Sequence, residues 1–322
     1  MKRLALRLAP ALLAPLALLA AAPRAASAGG DPALEALLQK KAPSVVCVRY
    51  VLKIRMSHGG QAQDQETNRE IRGAVVDPSG IVVVGHDAYE AGSVVAQLRM
   101  RLRRGGGDVS ASAHDAKVLF GNDATEHEAV LLAKDSRLGL SFLQIVDPAA
   151  KPPASVDLAA ASDVGIGQTL YAVTRKARGF DCAPVLSRIL VTGKVEKPRP
   201  MWAAIADSSN VGLPVYDPAG ALAGILVSQQ GATGVEDDDA GSSEPFVLPL
   251  DVAAKSLEQA KKRAPEALAK AREAKEAAAK DAAGKDAEKP APDAPKEPAP
   301  GGDAGMAGES PGMGEAPPSP GR

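Results

Sequence analysis

The sequence predicts an all-β core followed by a helical stretch and a low-complexity tail, on three observations. Up to about residue 250, Val, Ile and Leu come in short runs broken by Gly, Pro, Asp and Ser, the pattern of many short strands in a sandwich or barrel. Two tetrads between apolar runs, Asp77-Pro78-Ser79-Gly80 and Asp217-Pro218-Ala219-Gly220, read as tight turns, because proline presets φ and glycine accepts φ above zero. After Pro249 the periodicity turns helical and Ala, Lys and Glu take over.

Residues 1–28 read as a secretory signal. Lys2, Arg3 and Arg7 form a basic start, Leu and Ala fill the following stretch, and Ala26-Ser27-Ala28 is a small-residue cleavage site. Pro10, Pro15 and Pro23 interrupt the apolar run, and Arg24 closes it short of the roughly 20 residues a spanning helix needs. No later segment approaches spanning length, and no Cys follows the signal to accept a lipid. The expected product is a soluble exported protein, periplasmic or extracellular, with no membrane span after cleavage.

The expected strands are Val45–Met56, Gly73–Val76, Ile81–Val84, Val94–Leu102, Lys117–Phe120, Ala129–Ala133, Leu140–Val146, Thr169–Thr174, Pro184–Val195, Trp202–Ala206, Leu213–Tyr216 and Ala221–Val227. Ser57–Arg69 is polar and reads as an exposed loop, as does Arg104–Ala113. The Gly105-Gly106-Gly107 run is no phosphate cradle, since no helix pattern follows it. Asp251 is the expected N-cap of a helix with Val252 and Leu257 as its apolar contacts, and Pro265 breaks it or starts another. Residues 251–289 form the Ala/Lys/Glu-rich helical segment, with Glu266/Lys270 and Glu276/Lys280 at i,i+4. From Pro290 to Arg322, 16 of 33 residues are Pro or Gly, a composition that marks disorder. No internal sequence repeat is visible.

A formal net charge of −1 argues against a nucleic-acid partner. His58, His86, His114 and His127 are dispersed without metal-ligand spacing, so no metal and no cofactor is expected. Trp202 and Tyr216 read as barrel packing. Cys47 and Cys182 would lie where disulfides persist, yet two cysteines so far apart in sequence do not establish a bridge, and the favoured expectation is two buried thiols acting as small hydrophobes, with a bridge as the alternative.

Ala42-Pro43-Ser44-Val45-Val46, the hairpin from Gly73 to Val84, the run from Ser136 to Ile145, the run from Leu158 to Val173 and Ser209-Asn210-Val211-Gly212-Leu213-Pro214, in that order over residues 43–228, resemble the protease domain of HtrA/DegP-type trypsin-like serine proteases. Ala42-Pro43-Ser44-Val45-Val46 is similar to the family's first strand. Gly73-Ala74-Val75-Val76-Asp77-Pro78-Ser79-Gly80-Ile81-Val82-Val83-Val84 is similar to the hairpin that delivers its catalytic histidine in Asn-x-His-Val. Here Gly85-His86-Asp87-Ala88 stands in that place, with Asp87 at the histidine position and His86 one residue early. Ser136-Arg137-Leu138-Gly139-Leu140-Ser141-Phe142-Leu143-Gln144-Ile145 resembles the strand opening Asp-Leu-Ala-Leu-Leu, with Gly139 at the catalytic aspartate. Leu158–Val173 supports that register, whereas a competing one with His127 or Glu128 near the aspartate site spoils it. Ser209-Asn210-Val211-Gly212-Leu213-Pro214 resembles Gly-Asn-Ser-Gly-Gly-Pro, with Val211 replacing the nucleophile. No PDZ-like segment follows, unlike in the family.

The resemblance implies a trypsin-like double six-stranded β-barrel over residues 43–250, with barrels at about 43–150 and 155–250. It also implies a degenerate triad, Asp87, Gly139 and Val211. Valine has no nucleophilic atom, a carboxylate near pKa 3.9 is a poor substitute for imidazole near 6.5, and glycine orients nothing. The expected function is a proteolytically inactive pseudoprotease whose residual substrate groove takes a peptide or protein partner. Two alternatives stand beside it: an active serine endopeptidase with a displaced set drawn from His86, Ser208, Ser209 and Asp135, and a purely structural envelope protein.

Overall fold

The computed structural model describes residues 30–58, 61–103, 107–147, 150–159, 162–230 and 243–287. The expected signal at 1–28 and the expected disordered tail at 290–322 lie outside them. The chain divides into a unit ending at Ala274 and a second, Lys275–Arg322, whose described part is the end of the last helix.

Helix α1 (Pro32–Lys41) opens the described chain, with Asp31 as its N-cap accepting from the Ala33 amide. Strands β1 (Val45–His58), β2 (Gln61–Asp77), β3 (Ile81–Gly85), β4 (Asp108–Phe120), β5 (His127–Asp135) and β6 (Leu140–Ile145) close an antiparallel barrel in the order β1-β2-β3-β6-β5-β4. Strands β7 (Thr169–Arg175), β8 (Pro184–Val195), β9 (Met201–Ile205), β10 (Pro214–Tyr216), β11 (Leu222–Gln230) and β12 (Ser243–Leu248) close a second barrel in the order β7-β8-β9-β12-β11-β10. The second order is the first shifted by six. One topology is therefore used twice, and two such barrels in tandem make the trypsin-like fold that the sequence predicts, although no repeat is visible at the level of residues.

Four expectations are corrected. Val94–Leu102 is not a strand: Gly92–Arg103 forms helix α3, whose Val95 and Leu98, three apart, both pack on the first barrel's core. Apart from 59–60, which lie outside the described residues, Ser57–Arg69 is strand and not loop, since Gln61–Glu70 pairs residue by residue with β1 as an exposed margin of the sheet. Ion pairs between this stretch and β1, Lys53 with Asp64 at 3.0 Å and Arg55 with Asp64 at 3.7 Å, replace the apolar contacts whose absence suggested a loop. Residues 108–113, also expected as loop, continue β4 along the other side of β1. The last helix, α4 (Leu250–Ala287), begins before Asp251, which sits in its first turn, and runs straight through Pro265.

The first barrel's interior is a cluster of its own, with Val46, Val48, Leu52, Val75, Val82, Val84 and Leu143 almost wholly buried. The second barrel's interior is continuous with the face between the barrels. Leu213, Val215, Ile225 and Val247 share one cluster with Leu37 of α1, with Ala74, Val83, Leu140 and Phe142 of the first barrel, and with Leu250, Ala253, Leu257 and Ala260 of α4. Helix α4 is pinned there by Ser256 Oγ donating to Asp135 Oδ2 at 3.0 Å and by Lys261 Nζ at 2.7 Å from Asp77 Oδ2. Polar atoms tie the barrels together as well. The Arg175 guanidinium on β7 donates to the carbonyls of Val45 at 2.8 Å, Ala42 at 2.7 Å and Cys182 at 3.0 Å. Cys47 and Cys182 are both buried and both free.

Candidate functional site

The end of β3, the β5–β6 turn and the segment before β10 meet at one place. β3 is fully buried along Ile81–Gly85 and runs directly into a short helix, α2 (His86–Glu90). Tyr50 of β1 steadies α2: its hydroxyl donates to the Ala88 carbonyl at 2.6 Å and its ring lies 4.9 Å from that of Tyr89. Asp87, in the first turn of α2, points at Gly92, where an added Cβ would sit 3.0 Å from Asp87 Oδ1.

Gly139 lies against this junction, its carbonyl accepting from the His86 amide at 2.9 Å. Its φ is +74°, and a Cβ there would stand 2.8 Å from the Ser228 carbonyl oxygen of β11. Only glycine relieves both constraints, so a carboxylate side chain has no place at this position. Val211 arrives from the other barrel. It is buried, and its Cγ1 lies 2.7 Å from where a Gly85 Cβ would be. Gly212, with φ +93°, passes so close to the Gly85 amide that any side chain would collide with backbone. Asp87, Gly139 and Val211, far apart in sequence, are thus carried by segments packed on Gly85 and His86.

The segment around Val211 is closed on itself. Asp207 caps a 3-10 turn over Ser208–Asn210, its Oδ1 accepting from the Ser209 amide at 2.9 Å, and bonds from Ser209 hold its carboxyl below the usual range. The next amides follow suit: Asn210 donates to Asp207 O, Val211 to Ser208 O at 3.3 Å, Gly212 to Leu226 O and Leu213 to Asn210 O. Five consecutive N–H groups therefore already have acceptors. An oxyanion hole at such a loop needs the amides of the nucleophile and of the residue two before it aimed at open space. With Val211 at the position that the resemblance would give the nucleophile, those would be the amides of Val211 and Ser209, and both are bonded within the turn.

The candidate substitutes are placed as follows. His86 Nδ1 is 3.1 Å from Ser141 Oγ, and its Nε2 is 3.9 Å from Glu90 Oε2, which itself belongs to a carboxyl paired with Lys134. Burial holds the His86 imidazole below its ordinary pKa. Ser208 and Ser209 are exposed on the 3-10 turn, and neither is joined to His86 by a hydrogen bond among the described residues. Asp135 accepts from the Leu138 amide and from Ser256, so its carboxylate serves the β5–β6 turn and α4. His127 and Glu128 open β5 at the end away from Gly139, eight residues or roughly 26 Å along the strand from Asp135. Ser141 is the partner that sequence reasoning missed, and no spacing signals it. It is fully buried, with no approach for a substrate carbonyl.

Beside the Val211 segment lies a cleft of about 380 Å³ between the barrels, bounded by Glu70 and Arg72 of β2, Ala88, Lys176, Ser187 of β8 and the 207–211 segment. The margin of β11 at Ser228–Gln230 lies on the Gly139 side of the site, with the Ser228 carbonyl against Gly139. It pairs with β12 on one side, and no described strand pairs with the other.

No family model matches this sequence, and no curated protein does. Among solved structures, the crystal structure of Deg5 is similar at 19% identity, covering 70% of this chain and 91% of that one, with a TM-score of 0.43. The apo MamO protease domain from Magnetospirillum magneticum is similar at 17% identity, covering 67% of this chain and 96% of that one, with a TM-score of 0.40.

Proposed function

We propose that this is an exported HtrA-type pseudoprotease: a trypsin-like body that does not cleave peptides and instead holds an extended peptide or protein segment in the residual groove between its barrels. The observation that supports the reading is the Val211 segment, where the residue matched to the family's nucleophile by resemblance is a buried apolar side chain and the Ser209 and Val211 amides are bonded inside the turn. Loss of a triad costs roughly 10⁶ in turnover, and the residual 10³–10⁴ over water comes from the oxyanion hole and binding. A loop without free amides forfeits the first of those contributions.

What remains suits binding. A peptide strand laid along the margin of β11 beyond Ser228 would gain main-chain hydrogen bonds independent of its sequence, and the 380 Å³ cleft at the Val211 segment has room for side chains. The test pairs two measurements on the purified protein: intact mass after a fluorophosphonate probe, and fluorescence anisotropy of labelled, carboxymethylated casein. Unchanged mass with intact, bound casein is the expected result. A stoichiometric adduct with casein cleavage would overturn the reading and send peptide mapping to Ser208 and Ser209.

A further inference from the structure

The chain's two cysteines belong to different barrels, Cys47 to β1 and Cys182 to the connection between β7 and β8. With Leu119, which pairs with Cys47 across β1 and β4, they form a small buried cluster separate from both cores. The two side chains meet in that cluster, and the neighbouring Cys182 thiol adds to the upward push that burial gives the Cys47 pKa. Two features keep Cys182 there. Asp181 and Cys182 take consecutive left-handed conformations, with φ of 55° and 48°, which residues other than glycine adopt only where their surroundings impose it. The Arg175 guanidinium does so, holding the Cys182 carbonyl while its other nitrogens hold those of Val45 and Ala42. One side chain thus sets the Cys182 turn against the start of β1, two residues before Cys47.

We propose that Cys47 and Cys182 form a disulfide that staples the two barrels when the chain folds in an oxidising compartment. The oxidant is a protein or low-molecular-weight disulfide. One cysteine thiolate attacks it and expels one thiol, and the second cysteine then attacks the mixed disulfide and expels the other. Two protein thiols are thereby oxidised to one disulfide, while the oxidant's disulfide is reduced to two thiols. The bond forms before the barrels close, because in the folded protein burial pushes the Cys47 thiol up to about 11 and almost none of it is thiolate. Once formed, it is out of reach of external reductants. It closes a loop of roughly 135 residues, long enough for a large entropic effect on the unfolded chain.

The experiment is to refold the full chain with oxidised and reduced glutathione, quench with iodoacetamide in denaturant and read the intact mass. The expected product is about 2 Da lighter than the dithiol and takes no alkyl group. Its non-reduced digest joins the Cys47 and Cys182 peptides, and its thermal midpoint lies roughly 10 °C above that of protein refolded under reductant. Cys47→Ser, refolded in the same way, should leave Cys182 as one alkylatable thiol. Two free thiols, two glutathionyl adducts or disulfide-linked dimers would each overturn the proposal, and a bridge that left the midpoint unchanged would overturn the stapling role. None of these outcomes depends on whether the protein cleaves peptides.

Discussion

The two barrels share one strand order but not one kind of core. The first keeps its apolar interior to itself and extends β2 beyond it as the charged, exposed stretch Gln61–Glu70. The second has no separate interior: its core runs without interruption into the inter-barrel face, α1 and α4. A shared topology therefore does not imply a shared distribution of stability. The first barrel can lose packing locally, whereas damage to the second reaches everything that rests on it.

Core truncations should break this comparison most sharply. Ile225→Ala and Leu143→Ala each remove a fully buried side chain, one from each cluster, and each should cost about 3 kcal/mol. In urea, Ile225→Ala should shift far-UV circular dichroism and the fluorescence of Trp202, the chain's one tryptophan, together. Leu143→Ala should produce a far-UV change that precedes the Trp202 transition. Coincident curves for Leu143→Ala would mean that the barrels unfold as one unit and that the difference in their cores has no thermodynamic meaning.

Arg175→Ala comes next, because it leaves buried carbonyls of both barrels without a donor, at a cost of about 3 kcal/mol spread over Ala42, Val45 and Cys182. It should separate the two transitions even with both cores intact. A single sharp transition in this variant would show that the apolar face alone couples the barrels.

The smallest effect is expected from Lys261→Ala, about 0.5 kcal/mol, since its pair with Asp77 is partly exposed. Burial works to raise the Asp77 pKa, but the bonds from Lys261 and Ser79 outweigh it and hold the carboxyl below its ordinary value. The contribution is therefore present above about pH 4 and disappears as the pH falls through the lowered folded value. Wild type and Lys261→Ala should differ in urea midpoint at pH 7 and converge near pH 2.

Much of the fold was legible because its signals are local. The Gly73–Val84 hairpin announces itself through Asp77-Pro78-Ser79-Gly80, and β8 through an unbroken β-rich run. The errors share a physical origin in contacts that local pattern does not carry. Leu98, Met100 and Leu102 alternate like a strand, but Val95 and Leu98 find the first barrel's core at helical spacing and α3 results. The Gln61–Glu70 stretch was hidden because none of its own side chains is buried, and it is held by the backbone ladder to β1 and by ion pairs. β12 went unseen because Pro245 interrupts a six-residue strand, a position that normally argues against one. At the candidate site, that Val211 carries no nucleophilic atom can be read from its residue type. The self-satisfied amides of Ser209–Leu213 and the fit of Gly139 against Ser228 cannot, since both depend on where the backbone of another segment runs.

The Gln61–Glu70 stretch also bears on which surfaces can recruit other chains. Closed barrels have no free margins, so where strands outrun a barrel the unpaired backbone becomes a template for aggregation unless something guards it. Along the outer margin of β2, Asp64, Glu66, Arg69 and Glu70 supply that guard, because each added strand would have to desolvate charge. The open margin of β11 carries Ser228, Gln229 and Gln230 instead, polar but uncharged. The same molecule thus sets charge against an incoming strand along one margin and leaves another margin without it, the one to which the proposed peptide would pair.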